Sequence, residues 1–131
     1  MKYFLVISVF LLLGMMIYSS CATRNNGFKT VSVDEFSKLI ANREGIQLLD
    51  VRTQDEYNEG HIAGAKLIDV NDSLFLEKAT SQLSKKKPVA VYCRSGRRSA
   101  KAANAMVKAG YQVINLDGGI LAWQDAGKET E

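Results

Sequence analysis

The stretch Cys93-Arg94-Ser95-Gly96-Arg97-Arg98-Ser99 decides how this chain is read. It lies between the apolar run Pro88-Val89-Ala90-Val91-Tyr92 and the alanine-rich run Ala100 to Lys108, which Gly110 stops. The first run has the length and character of a buried strand, the second those of a helix. A thiol at such a junction faces helix-start N–H groups that have no intrahelical partner, and the positive end of the helix dipole. Arg94, Arg97 and Arg98 add fixed positive charge. Both effects favour thiolate over thiol, and the thiolate is the nucleophile. Successive N–H groups in the bend can form a nest for a small anion, with Gly96 supplying backbone freedom. Arginines at a helix start work against the dipole, so Arg97 and Arg98 point to an anionic ligand.

Outward from this loop the chain alternates. Ile46 to Val51, Ala65 to Val70 and Gln112 to Leu116 are further runs of strand length. Between them lie helical segments. Ser32 with Glu35 and Thr53 with Glu56 form capping-box patterns, and Val33, Phe36, Leu39 and Ile40 recur at helical spacing. Asp72 reads as the cap of a helix through Leu74, Phe75, Lys78, Ala79 and Leu83. Gly118-Gly119 turns the chain into a short helix from Ile120 to Asp125. This order predicts a three-layer α/β/α domain with a central, mostly parallel sheet of about five strands. Ligands of such sheets collect at the carboxyl ends of the strands, where Cys93 falls.

The N-terminus has a different character. Met1-Lys2-Tyr3 precedes an apolar run from Phe4 to Tyr18, then Ser19-Ser20-Cys21. These are the parts of a secretory signal, and the run is short for a membrane span of about 20 residues. Small residues before a cysteine resemble the lipobox of bacterial lipoproteins. That resemblance implies removal of residues 1–20, lipidation of Cys21, and a domain anchored in a bacterial cell envelope, facing the periplasm. The alternative is an uncleaved anchor, which also places the domain outside the cytoplasmic membrane. Residues 21–29 are polar and turn-prone and read as a tether, 30–126 as the domain, and 127–131 as a disordered tail.

Composition excludes several classes. The formal net charge of +3 falls to about +2 without Lys2, and acids and bases are interspersed, so there is no nucleic-acid footprint. Lys85-Lys86-Lys87 reads as a solvated loop. With Cys21 lipidated, Cys93 is the one free thiol, which leaves no internal disulfide. With His61 the sole histidine, no metal site of the Cys/His type can be assembled.

Four pieces recur in a recognisable order. They are Leu49-Asp50-Val51-Arg52 with Glu56-Tyr57; Gly60-His61-Ile62 with Gly64-Ala65; the loop Cys93 to Ser99; and Gly118-Gly119 with Ala122-Trp123. Over nearly all of Thr30 to Asp125 the sequence thereby resembles the rhodanese family, sulfurtransferases that carry sulfur as a cysteine persulfide. The resemblance implies Cys93 as nucleophile, and Arg94, Ser95, Gly96, Arg97 and Arg98 as the loop that binds the donor. It implies that Asp50, Arg52 and Glu56 tie an early strand to its turn, and that His61 is structural, not a base. The implied partners are a small anionic sulfur donor such as thiosulfate and an external thiol acceptor, for a monomer without cofactor. A persulfide carrier or tethered binding module needs the same loop and stays open. Cysteine phosphatases and arsenate reductases place five residues between cysteine and arginine. Here that spacing reaches Ser99, and Arg98 comes one position too soon.

Overall fold

The structure, a computed structural model, describes residues 27–131. The apolar run, Cys21 and most of the expected tether lie outside the described residues. Among the described residues no helix is long and apolar enough to cross a membrane.

Five parallel strands form one sheet in the order β1-β5-β4-β2-β3. They are β1 (Lys29–Val31), β2 (Gln47–Asp50), β3 (Lys66–Leu67), β4 (Val89–Tyr92) and β5 (Val113–Leu116). Central β4 is buried along its whole length and aligns Leu49↔Val91 with β2 and Val91↔Asn115 with β5. Side chains alternate across it. Val89, Val91 and Cys93 join one core cluster, Ala90 and Tyr92 the other. A strand covered on both faces favours apolar residues at successive positions, which is why Val89 to Tyr92 reads as an unbroken run.

Helices cover both faces. Phe75 and Ala79 of α3 (Phe75–Gln82) and Ala102, Ala103 and Met106 of α4 (Arg97–Lys108) close the first cluster. Phe36 and Ile40 of α1 (Val33–Ile40) and Ile120 and Trp123 of α5 (Gly119–Asp125) close the second. Phe36 and Trp123 meet edge to face there, with centroids 6.4 Å apart. The short α2 (Gln54–Glu59) opens with the expected Thr53–Glu56 capping box. The three-layer parallel α/β architecture is the one the sequence implies.

Four boundaries differ from expectation. The tether gives way to structure at Lys29, because β1 pairs with β5 at Lys29↔Ile114; only Val31 of its three residues is buried, so no periodic signal marks it. The run Ala65–Val70 is a strand only at Lys66–Leu67. Asp72 does not cap α3: Leu74 is the N-cap, and Asp72 accepts instead from Leu74 N at 2.8 Å, a local turn. The tail does not fray. His61 N donates to Glu131 O at 3.0 Å, Glu131 N to His61 O at 2.8 Å, and Trp123 Nε1 to Glu129 O at 2.9 Å.

Candidate active site

Cys93 is the residue after β4, and α4 begins only four residues later. The turn is made by Gly96, the N-cap of α4, at φ 107°, a left-handed conformation that favours glycine. Its N–H points back and donates to Cys93 Sγ at 3.0 Å. The Ser99 hydroxyl, one turn into α4, donates to the same sulfur at 3.3 Å. The thiol is wholly buried. Burial is the largest single influence and pushes Cys93 up. The Ser99 hydroxyl and the N–H groups of Ser99, Gly96 and Ser95 together outweigh it and hold the thiol below its ordinary value.

The loop is braced from below by α5. Ile120 N donates to Cys93 O at 2.9 Å and Leu121 N to Arg94 O at 3.2 Å. This approach is why α5 opens on a glycine. A Cβ on Gly119, at φ 61°, would lie 2.5 Å from Cys93 O, closer than real Cβ contacts come.

Of the charged residues expected at the site, four form two pairs and Arg94 and Arg97 join neither. Arg52 donates from Nη2 to Asp50 Oδ2 at 2.7 Å and to Gly60 O at 2.7 Å, tying β2 to the end of α2. Glu56 does not join them. Its carboxylate accepts both Nη groups of Arg98, at 2.7 and 2.8 Å. Arg94 and Arg97 are exposed and make no ion pair among the described residues. Arg94 lines a depression of about 230 Å³ with Glu56, Glu59, Leu121 and Gln124. A wider cleft of about 400 Å³ between β1 and α1 shares no residue with the loop.

His61 stacks flat on Tyr57, with centroids 3.7 Å apart, and its Nδ1 lies 3.0 Å from Tyr57 O. No hydrogen bond joins it to Cys93. Among the described residues no three His, Cys, Asp or Glu side chains gather as metal ligands do. A thiol lowered by hydrogen bonds from the loop N–H groups and the Ser99 hydroxyl, with no base bonded to it, is suited to nucleophilic attack.

Comparison with known proteins places this geometry. The family description "Rhodanese-like domain" matches residues 32–126. The chain belongs to the rhodanese-like family. It is 37% identical over 118 residues to thiosulfate sulfurtransferase 18 of Arabidopsis thaliana, covering 81% of this chain and 87% of that one. It is 34% identical over 98 residues to a sulfurtransferase of Allochromatium vinosum, covering 74% and 89%. The solved structure of the BH2092 protein of Bacillus halodurans superposes with a TM-score of 0.68 at 32% identity, covering 80% of this chain and 77% of that one.

Within this rhodanese-like domain the expected site residues fall in two groups. Cys93 to Arg98 form the loop. Asp50, Arg52 and His61 hold backbone, at Arg52 N, Gly60 O and Glu131. Glu56 bridges the groups through Arg98. Ser99 ends the loop and has no role in the resemblance, although its hydroxyl donates to the sulfur. Its signal was positional: a hydroxyl in the first turn after the cysteine loop faces back toward that loop.

Proposed function

We propose that the chain is a sulfurtransferase that moves sulfane sulfur from a small anionic donor such as thiosulfate to a thiophilic acceptor through a Cys93 persulfide. The observation that carries this reading is the depressed Cys93 thiol, inside a nest of N–H groups with no base beside it. In the first step the Cys93 thiolate attacks the outer sulfur of thiosulfate. The new Sγ–S bond forms, the donor's S–S bond breaks, and sulfite leaves with the electron pair. The negative charge passes to the outer sulfur of the persulfide. In the second step an acceptor, cyanide in an assay or a thiol in a cell, bonds to that outer sulfur and Sγ leaves as thiolate. The N–H groups of the loop and the free Arg94 and Arg97 stabilise the anionic donor and leaving group. Arg98 is poorly placed to clamp a phosphate, because its guanidinium fork is already engaged by Glu56.

The protein is proposed to act in a bacterial cell envelope, anchored through a lipid on Cys21. Incorporation of labelled fatty acid that persists in Cys21→Ser would refute the anchor. For the chemistry, the purified protein treated with thiosulfate is expected to gain one sulfur, about 32 Da, on Cys93. It should then release thiocyanate from cyanide. Cys93→Ser should do neither, and equal thiocyanate from both would sink the reading. A persulfide that forms but turns over slowly with every acceptor would mark a carrier instead.

A further inference from the structure

We propose that Ser99 is a further catalytic residue of the sulfur transfer, a one-proton switch that binds the Cys93 thiolate and releases the persulfide. The proposal rests on the reading of Cys93 as the sulfur carrier.

Ser99 is wholly buried at the third position of α4. Its hydroxyl lies between two acceptors, Cys93 Sγ at 3.3 Å and Gly96 O at 3.1 Å. A hydroxyl has one hydrogen to give. Which acceptor takes it depends on where the negative charge sits. On the free thiolate the charge is on Sγ, and the bond to sulfur is charge-assisted. When the Sγ–S bond forms and sulfite leaves, the charge moves to the outer sulfur. Sγ is then a neutral divalent sulfur, a weak acceptor. The hydroxyl turns to Gly96 O. That carbonyl also accepts from Ala100 N at 3.2 Å, so it is satisfied in either state and the swing leaves no orphan.

The consequence is asymmetric. In the discharge step the acceptor takes the outer sulfur, and the electrons of the Sγ–S bond return to Sγ. The Ser99 bond strengthens as that charge develops, so it is worth more in the transition state than in the persulfide. In the loading step the same bond raises the thiolate fraction but blunts the nucleophile. Above the pH at which Cys93 is fully ionised, Ser99 gives loading no advantage.

The test compares wild type with Ser99→Ala and Ser99→Thr. Cys93 is titrated without any donor, through the pH dependence of its alkylation. Each protein is then loaded with thiosulfate, freed of donor and chased with cyanide in a single turnover. In Ser99→Ala we expect Cys93 to titrate at higher pH and discharge to slow about tenfold to a hundredfold, as for loss of one hydrogen bond to a charged group. Loading at high pH, where the bond only blunts the nucleophile, should be no slower than in wild type, and Ser99→Thr, which keeps the hydroxyl, should recover discharge. Equal discharge in wild type and Ser99→Ala overturns the proposal. So does a uniform fall in both steps with the Cys93 titration unmoved, which marks a packing defect. A wild type that never takes up sulfur overturns the transfer reading itself, and the donor-free titration tells the two failures apart.

Discussion

Glu56 grips Arg98 with both carboxylate oxygens, Nη1 to Oε1 at 2.7 Å and Nη2 to Oε2 at 2.8 Å, and so ties α2 to the first turn of the cysteine-bearing loop's helix. Thr53 Oγ1 adds a bond to Oε1 at 3.1 Å. Arg98, ahead of Thr53, holds the Glu56 carboxyl down at about 2, from an ordinary 4.5. A carboxyl whose folded value is depressed contributes stability above its unfolded value and loses it as pH falls through the folded one. The window therefore runs from about pH 4.5 down to about 2. The side chains are 27% and 24% exposed, so solvent screening limits the bidentate pair to about 1 kcal/mol. Glu56→Gln should lose about that much at neutral pH and flatten the acid limb of stability. Urea unfolding across the window measures it; superimposable acid limbs would refute the assignment.

Asp50 and Arg52 form the deeper pair, 0% and 5% exposed. Arg52 Nε and Nη2 both donate to Asp50, and Nη2 also holds Gly60 O. Removing the carboxylate leaves a buried guanidinium with one carbonyl partner. Asp50→Ala should therefore cost about 3–5 kcal/mol, far more than the Glu56 change. Replacing both residues with apolar ones of similar volume should cost much less. Chemical denaturation of the single and double variants separates the two, and a double variant as unstable as Asp50→Ala would argue against an unpaired charge as the cause.

Much of this was legible in the sequence, for physical reasons. Strands buried on both faces favour mostly apolar runs, so β2, β4 and β5 announce themselves despite Asp50 and Asn115, and Thr53 with Glu56 marks a cap that is present. What was hidden depends on contacts across long separations. The resemblance sets Glu56 with Asp50 and Arg52, yet its ion-pair partner, Arg98, is 42 residues away. β1 has one buried residue in three and takes its identity from β5. The polar tail is ordered by backbone pairing with His61, for which no residue type is diagnostic. At the site, Cys93 and Gly96 were readable from local chemistry. Ser99 carries only a positional signal, a hydroxyl in the first turn after the loop, and the fold is what sets that hydroxyl on the sulfur.

Gly119 offers a test of the brace beneath the loop. It is held at φ 61°, where a Cβ is strained, and that Cβ would press on Cys93 O. Gly119→Ala must distort either α5 or the loop, at a cost of about 2–3 kcal/mol from strain and overpacking together. Because the displaced carbonyl belongs to the nucleophile, sulfur transfer should fall further than stability alone requires. Thermal melts beside thiocyanate assays, run well below the melting temperature, check this. Activity that survives unchanged in a destabilised variant would show that the brace does not position Cys93.

The last prediction concerns the field at the sulfur. Cys93 is buried, so size should slow every reagent, but charge should sort them. A free thiolate repels an anion and reacts faster with neutral iodoacetamide than with iodoacetate. Here Gly96 N–H donates to the sulfur, and the exposed Arg94 and Arg97 of the same loop are expected to add positive potential. In a Cys21→Ser background, where Cys93 is the only thiol, the order should reverse, with iodoacetate the faster reagent. Added salt should narrow the gap, since the arginines act through solvent and the Debye length falls from about 10 Å at 0.1 M to about 3 Å at 1 M. Arg94→Gln and Arg97→Gln should each remove part of it, while the share due to backbone N–H groups persists. Inactivation rates with the two reagents at matched thiolate fraction decide the matter: a preference for iodoacetamide equal to that of free cysteine would show that no anion-attracting field reaches Sγ.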